Sequence, residues 1–318
     1  MASKRWLCRV TGRATERRRR RSPSSSMTAS MLPQLLVAGI VSGSIYALVA
    51  LGLVVVFKAT TVINFAHGSI IMLAAYVCVT AADRLGFGYP AAVLIALLVV
   101  TIVGFCVSES VYRRLLAAPH MIQVLATLAV ANIINGSTTL IWGSGSYHFS
   151  PSDRLRPIIT DPVVMTGQQL LIIFGAVAAM VALGVFFRWT RWGKAMRALS
   201  QNMTGANLCG IRTSKVFAIA VTMGAALGAV AGVLYAPLTL VDPEFGWLLI
   251  KGFAAAALGG LTSLPGAVIG GIVLGICESL WVAVLPALWA PSLSYLIIIA
   301  VLLIKPTGLF GTPARQKL

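Results

Sequence analysis

The chain has 318 residues, 58% hydrophobic and 10% charged, with a mean hydropathy of +0.91. Soluble domains are about 45–50% apolar and about 25% charged, so an ordinary soluble enzyme is excluded. The net charge of +17 is unevenly placed: nine of the 25 Lys and Arg lie within residues 1–21, and beyond residue 26 the balance is 16 basic against 7 acidic residues.

The basic block ends in Arg17–Arg21 and a Ser-Pro-Ser-Ser-Ser stretch. A nucleic-acid arm fits poorly without interleaved aromatics, and a secretory signal lacks a small-residue cleavage site after its apolar stretch. A cytoplasmic lipid-surface anchor is a third reading. The expectation favoured is a disordered basic leader over 1–30, with Met27 or Met31 as the natural start.

Charge-free runs of 24 residues or more then recur, and about 20 apolar residues span a bilayer's hydrocarbon core. Spans are expected at 32–57, 62–82, 90–111 and 115–142, followed by a polar loop over 143–166. A fifth lies at 167–187, then a basic loop over 188–215 and a sixth span at 216–236. Beyond Asp242 and Glu244 come three close segments at 247–261, 266–285 and 292–304, the first short enough to be re-entrant. The fold class is therefore all-α: a polytopic transmembrane bundle of about eight or nine segments, some short or discontinuous. The pairs Gly259-Gly260 and Gly270-Gly271 are expected to favour breaks.

Orientation follows from Lys and Arg in short loops. Lys58, Arg113, Arg114 and the basic loop 188–215 fall on the cytoplasmic side, the acidic connections on the other. With nine crossings, residue 30 is outside and 305–318 inside; a re-entrant segment would put the N-terminus inside.

No nucleophile elbow, HExxH or Walker A run appears, so ATP-driven work has to come from a partner. The five cysteines have no ligand spacing, and no metal is expected. Between two apolar spans, residues 58–68 are unusually polar. Asn64 can cap the helix that follows, and a helix broken at membrane depth is a common substrate site. Asn64 and His67 are thus either cap and packing residues or part of a transport path. Gln123 and Thr127 share a face one turn apart, as do Asn132 and Asn135; they either bond between helices or line the path. Glu109 pairs with Arg113 at i,i+4. Glu278, near the middle of its span, is protonated, paired with Lys251 or facing water. In the basic loop, short helices are expected over 195–199 and 206–209, with Gly210 ending the second.

Five blocks then carry a resemblance: Gly43 to Gly52 (GSIYALVALG), Val62 to Gly68 (VINFAHG), Gly193 to Ile211, Ala257 to Ala267 (ALGGLTSLPGA) and Lys305 to Gly311 (KPTGLFG). In this order they closely resemble branched-chain amino-acid ABC transporter permeases of the high-affinity leucine/isoleucine/valine type. The resemblance spans about 31–311, leaves 1–26 without a counterpart and leaves 312–318 as a cytoplasmic tail. It implies a bacterial inner-membrane importer of two permease subunits, two cytoplasmic ATPases and an external substrate-binding protein. ATP and magnesium would sit on the ATPases, with no cofactor on this chain and no nucleic-acid partner. It also implies that loop 188–215 is the coupling segment docked on an ATPase, through Gly193, Arg197, Thr204, Gly205, Ala206 and Gly210. The family's usual pattern there is Glu-Ala-Ala-x3-Gly; here Thr204-Gly205-Ala206 precede Gly210 and the glutamate is missing. The expected transport-path residues are Asn64, His67, Gln123, Thr127 and Glu278. Urea, amide or other small polar solute permeases share the scaffold and form the alternative. An ion channel would need charge rings or filter loops, and an enzyme a paired catalytic set; neither pattern occurs.

Overall fold

The computed structural model describes residues 24–116, 118–149, 157–159, 163–284, 289–305 and 307–311. The chain divides into two units, Met1–Leu32 and Pro33–Leu318. Most of the expected basic leader (1–23) and the expected tail (312–318) lie outside the described residues, whereas 24–30 are already helical.

Eleven α-helices occur among the described residues: α1 Ser24–Thr60, α2 Ala66–Val79, α3 Tyr89–Ser110, α4 His120–Trp142, α5 Gly167–Trp189, α6 Arg191–Gln201, α7 Met203–Leu208, α8 Thr213–Tyr235, α9 Leu248–Gly259, α10 Leu264–Val284 and α11 Ala290–Ile304. Seven apolar stretches are long enough to cross a membrane, and two shorter ones cover Phe245–Gly259 and Ser292–Val301. This is the expected helical membrane bundle. A short antiparallel pair, β1 Pro157–Ile159 with β2 Met165–Thr166, is a minor addition in the polar loop.

Burial orders the helices. In their apolar windows α1, α2 and α8 are 83%, 72% and 67% buried, against 22–33% for α3, α4, α5 and α10. The first three form the centre; the others turn faces such as Leu94, Leu98 and Ile102 of α3 or Phe174 and Val181 of α5 outward, where hydrocarbon solvates them.

Small residues set the close approaches at the centre, as membrane helices require. A Cβ at Gly39 would lie 2.7 Å from Ile276 Cα, and one at Gly43 2.8 Å from Ile272 Cα, so α1 and α10 pack nearly backbone to backbone. Gly271 joins this seam, where a Cβ would fall 2.5 Å from Ala47 N. The Gly270-Gly271 pair is therefore not a break: α10 runs through it unbroken, because intimate contact compensates for lost side chains. Gly260, at φ +107°, does end α9.

Other boundaries shift by a turn. The second span begins its helix at Ala66 rather than 62. The fourth begins at His120, since Leu115 still belongs to the 3-10 turn closing α3 and Pro119 precedes α4. A capping box of Thr166 and Gln169 opens α5.

The two ends of the bundle are distinct. At one, the Gln34 amide bonds both backbone groups of Val164, Ser279 Oγ donates to Leu35 O, and Tyr147 pairs with Val241. At the other sit Lys58, Arg113, Arg114 and the basic α6–α7 segment, the end expected to face the cytoplasm by the positive-inside rule. Both α1 and α3 thus run toward this basic end, and α2, α4 and α8 away from it.

Candidate functional site

The break between α1 and α2 is built by three polar residues. Thr60 Oγ1 donates to Val56 O and accepts from Val62 N at 3.1 Å, closing α1. Thr61 takes a left-handed conformation, φ +58°, which turns the chain back. Asn64 Oδ1 then accepts from Ala66 N at 3.1 Å and opens α2.

This break lies at membrane depth. Phe65 N donates to Thr127 Oγ1 at 3.2 Å, and Thr127 is seven residues, about 10 Å, into α4. His67 lies against Gly228, fifteen residues or about 22 Å into α8. Lipid cannot satisfy backbone groups there, so side chains do.

Asn64, Gln123 and Thr127 are brought together. With Thr60, Tyr112 and Phe217 they line a cavity of about 30 Å³, room for one water molecule. Tyr112 Oη donates to Asn64 Oδ1 at 3.1 Å, and Gln123 Nε2 donates to Ala118 O at 2.9 Å. Sequence reading missed Tyr112; its place just past the end of α3, beside Arg113 and Arg114, gave no signal of an inward-turned hydroxyl.

The other two expected path residues are elsewhere. His67 is fully buried between α1 and α8, where a Cβ at Gly52 would lie 2.5 Å from its Cε1 and one at Gly228 3.0 Å. Among the described residues neither ring nitrogen has a hydrogen-bond partner at ordinary distance, and the Val49 backbone lies beside the ring. His67 fills a glycine-lined slot; it does not face the cavity. Glu278 forms an ion pair with Lys251 and accepts from Tyr46 Oη at 2.7 Å. The Lys251 ammonium also lies 4.7 Å above the Trp247 ring. This cluster ties α1, α9 and α10 together, and it answers the three alternatives for Glu278 with pairing. Glu109 pairs with Arg113 at 2.6 Å, as expected.

The opposite face of the same break borders a larger space. Ile63, Phe65 and Ser69, with Asn132 and Asn135 of α4 and Phe253 of α9, line a recess of about 460 Å³.

At the basic end, α6 and α7 are longer than the helices expected over 195–199 and 206–209, because two side chains cap them. Thr190 Oγ1 accepts from Gly193 N, and Asn202 Oδ1 accepts from Gly205 N while separating the helices. Gly193, Met196 and Leu199 turn inward, and Gly193 sits so close to Phe187 that a Cβ would lie 2.6 Å from its Cα. Arg197 and Thr204 are exposed, Gly205 is half-buried and Ala206 is buried. Gly210, φ +83°, ends α7 in a Schellman motif: Gly210 N donates to Asn207 O and Ile211 N to Ala206 O, both at 3.0 Å. Leu208 projects beside it, 86% exposed. The segment packs against α5 and α8.

Residues 35–305 match the family model described as branched-chain amino acid transport system / permease component. The chain is 32% identical over 308 residues to the high-affinity branched-chain amino acid transport system permease protein LivH of Escherichia coli (strain K12), covering 89% of this chain and 97% of that one. It is 31% identical over 304 residues to the corresponding BraD of Pseudomonas aeruginosa, with the same coverage. The autoinducer 2 import system permease protein LsrC of Yersinia pseudotuberculosis is 29% identical over 270 residues, 82% of this chain and 74% of that protein. With a family model over most of its length, relatives above 30% identity and seven helices among the described residues long and apolar enough to cross a membrane, the chain belongs to the branched-chain amino acid ABC transport permeases, multi-pass proteins of the inner membrane.

Proposed function

We propose that this chain is a transmembrane permease subunit of an ATP-driven importer that moves branched-chain amino acids across the membrane by alternating access. In this reading a second permease subunit completes the path, two cytoplasmic ATPases bind and hydrolyse ATP with magnesium, and an external binding protein delivers the substrate. The observation that carries the reading is the α6–α7 module. It is a capped, basic, exposed pair of helices on the expected cytoplasmic end, packed against α5 and α8.

Movement of α7 by an ATPase would be passed directly to α8, and through α6 to α5 and α8. The Thr60–Asn64–Thr127 junction is then the closed inner end of the path: it holds only a water-sized space, too small for an amino acid. The resemblance to an autoinducer 2 permease supports a second reading, import of another small polar solute on the same scaffold.

The test is assembly and stimulation. Co-expressed with the products of neighbouring genes, the chain should co-purify with two ATPases whose hydrolysis rises when leucine-loaded binding protein is added to nanodiscs. Failure to co-purify with any ATPase overturns the proposal.

A further inference from the structure

The recess on the far side of the α1–α2 break has chemistry that a lipid-facing surface does not tolerate. Asn132 lies twelve residues, about 18 Å, into α4, close to the middle of a helix of about 34 Å. Its amide is exposed on the bundle surface, and Asn135 one turn on is half-buried beside it. Two primary amides turned into hydrocarbon at that depth would be costly to desolvate, so this face of α4 meets water, ligand or protein rather than acyl chains.

The recess is also of the right size and character. At about 460 Å³ it lies within the range of small-molecule sites, whereas the Asn64 cavity of about 30 Å³ does not. Its polar groups, Ser69, Asn132 and Asn135, face a wall of Leu249, Ile250 and Phe253 from the short helix α9. A compact solute with one hydrogen-bonding end and one branched apolar end matches this division. Glutamate or lysine side chains would be left against the apolar wall.

We propose that this recess is the membrane-depth substrate site: Asn132 and Asn135 hold the zwitterionic end of an α-amino acid, and Leu249, Ile250 and Phe253 take its branched side chain. The site rests on the importer reading and uses its second permease subunit to close the open side. Sequence periodicity paired the two asparagines and left interhelix bonding and path lining open; what assigns them to the path is that Asn132, exposed, and Asn135, half-buried, line the recess.

The experiment uses the complete complex in proteoliposomes. Asn132→Leu and Asn135→Leu should each lower ATP-driven leucine uptake at least tenfold while co-purifying normally with the ATPases. Phe253→Ala, which enlarges the apolar wall, should raise phenylalanine uptake relative to leucine about tenfold. Asn132→Cys, with Cys106, Cys209 and Cys277 replaced by serine, should make the complex react with a membrane-impermeant thiol reagent, and leucine should protect it. Wild-type leucine uptake in both asparagine variants, or a cysteine at 132 that never reacts in any nucleotide state, overturns the site. Should the wild-type complex carry no branched-chain amino acid, yet the cysteine be protected by a different small solute, the substrate reading fails and the recess stands as a site.

Discussion

Tyr112 donates to Asn64 across 48 residues of sequence, 3.1 Å from Oη to Oδ1, and so fastens the turn after α3 to the turn that leads into α2. The same Oδ1 accepts from Ala66 N. One carboxamide oxygen therefore starts a helix inside the membrane and holds a second helix to it.

Removing the two halves of this arrangement should have unequal effects. Tyr112→Phe deletes one hydrogen bond, at about 1 kcal/mol, and should lower the melting temperature slightly and uptake by a few fold. Asn64→Leu strands the Ala66 N–H and the Tyr112 hydroxyl together, at about 2–4 kcal/mol, and should nearly abolish uptake while assembly with the ATPases persists. Equal uptake in both variants would show that Asn64 does nothing beyond accepting from Tyr112.

His67 should behave as a packing residue. Gly52→Ala places a methyl 2.5 Å from His67 Cε1 and should destabilise by about 1–3 kcal/mol. Because that clash involves the imidazole, combining it with His67→Ala should recover much of the loss, with a coupling energy of about 0.5–3 kcal/mol in a double-mutant cycle. Strict additivity in detergent melting experiments would mean that the two do not share a slot.

The Lys251–Glu278 pair is predicted to be structural. Breaking it from either side, with Lys251→Met or Glu278→Gln, leaves one buried group uncompensated and should cost about 3–5 kcal/mol. Replacing both, Lys251→Met with Glu278→Leu, should cost less than either single change. Monodisperse yield in detergent reads this directly. A double variant worse than both singles would contradict it.

Much of this architecture is legible in the sequence because the membrane imposes long apolar runs and asymmetric loop charge. The break at Asn64 was visible as a polar interval between two such runs, and the Glu278–Lys251 pairing as one of few options for a buried carboxylate. What stayed hidden were relationships set by helix rotation. Gly270-Gly271 has the composition of a break but lies in a continuous helix, because Ala47 of another helix fills the space above it. His67 sits three residues from Asn64 and yet lies outside the Asn64 cavity, packed further along α1 and α8 against Gly52 and Gly228. Single-sequence periodicity gives the face a residue shares, not what that face meets.

Gly210 is predicted to matter through its backbone. Its φ of +83° closes α7, and a leucine there would be strained by about 1–2 kcal/mol and unwind the Schellman bonds. Gly210→Leu should insert in the membrane normally but lose the link between hydrolysis and uptake. The ratio of ATP hydrolysed to leucine accumulated should rise at least tenfold; an unchanged ratio would remove α7 from the coupling path.

The most direct test of the importer reading is uptake by the complete complex in sealed proteoliposomes, with ATP on the ATPase side and loaded binding protein on the other. The reading predicts that labelled leucine accumulates against its gradient only when both are present, and that isoleucine and valine compete while glutamate and urea do not. Accumulation of urea or another solute in place of all three branched-chain amino acids, or leucine flux that ignores ATP, would contradict it.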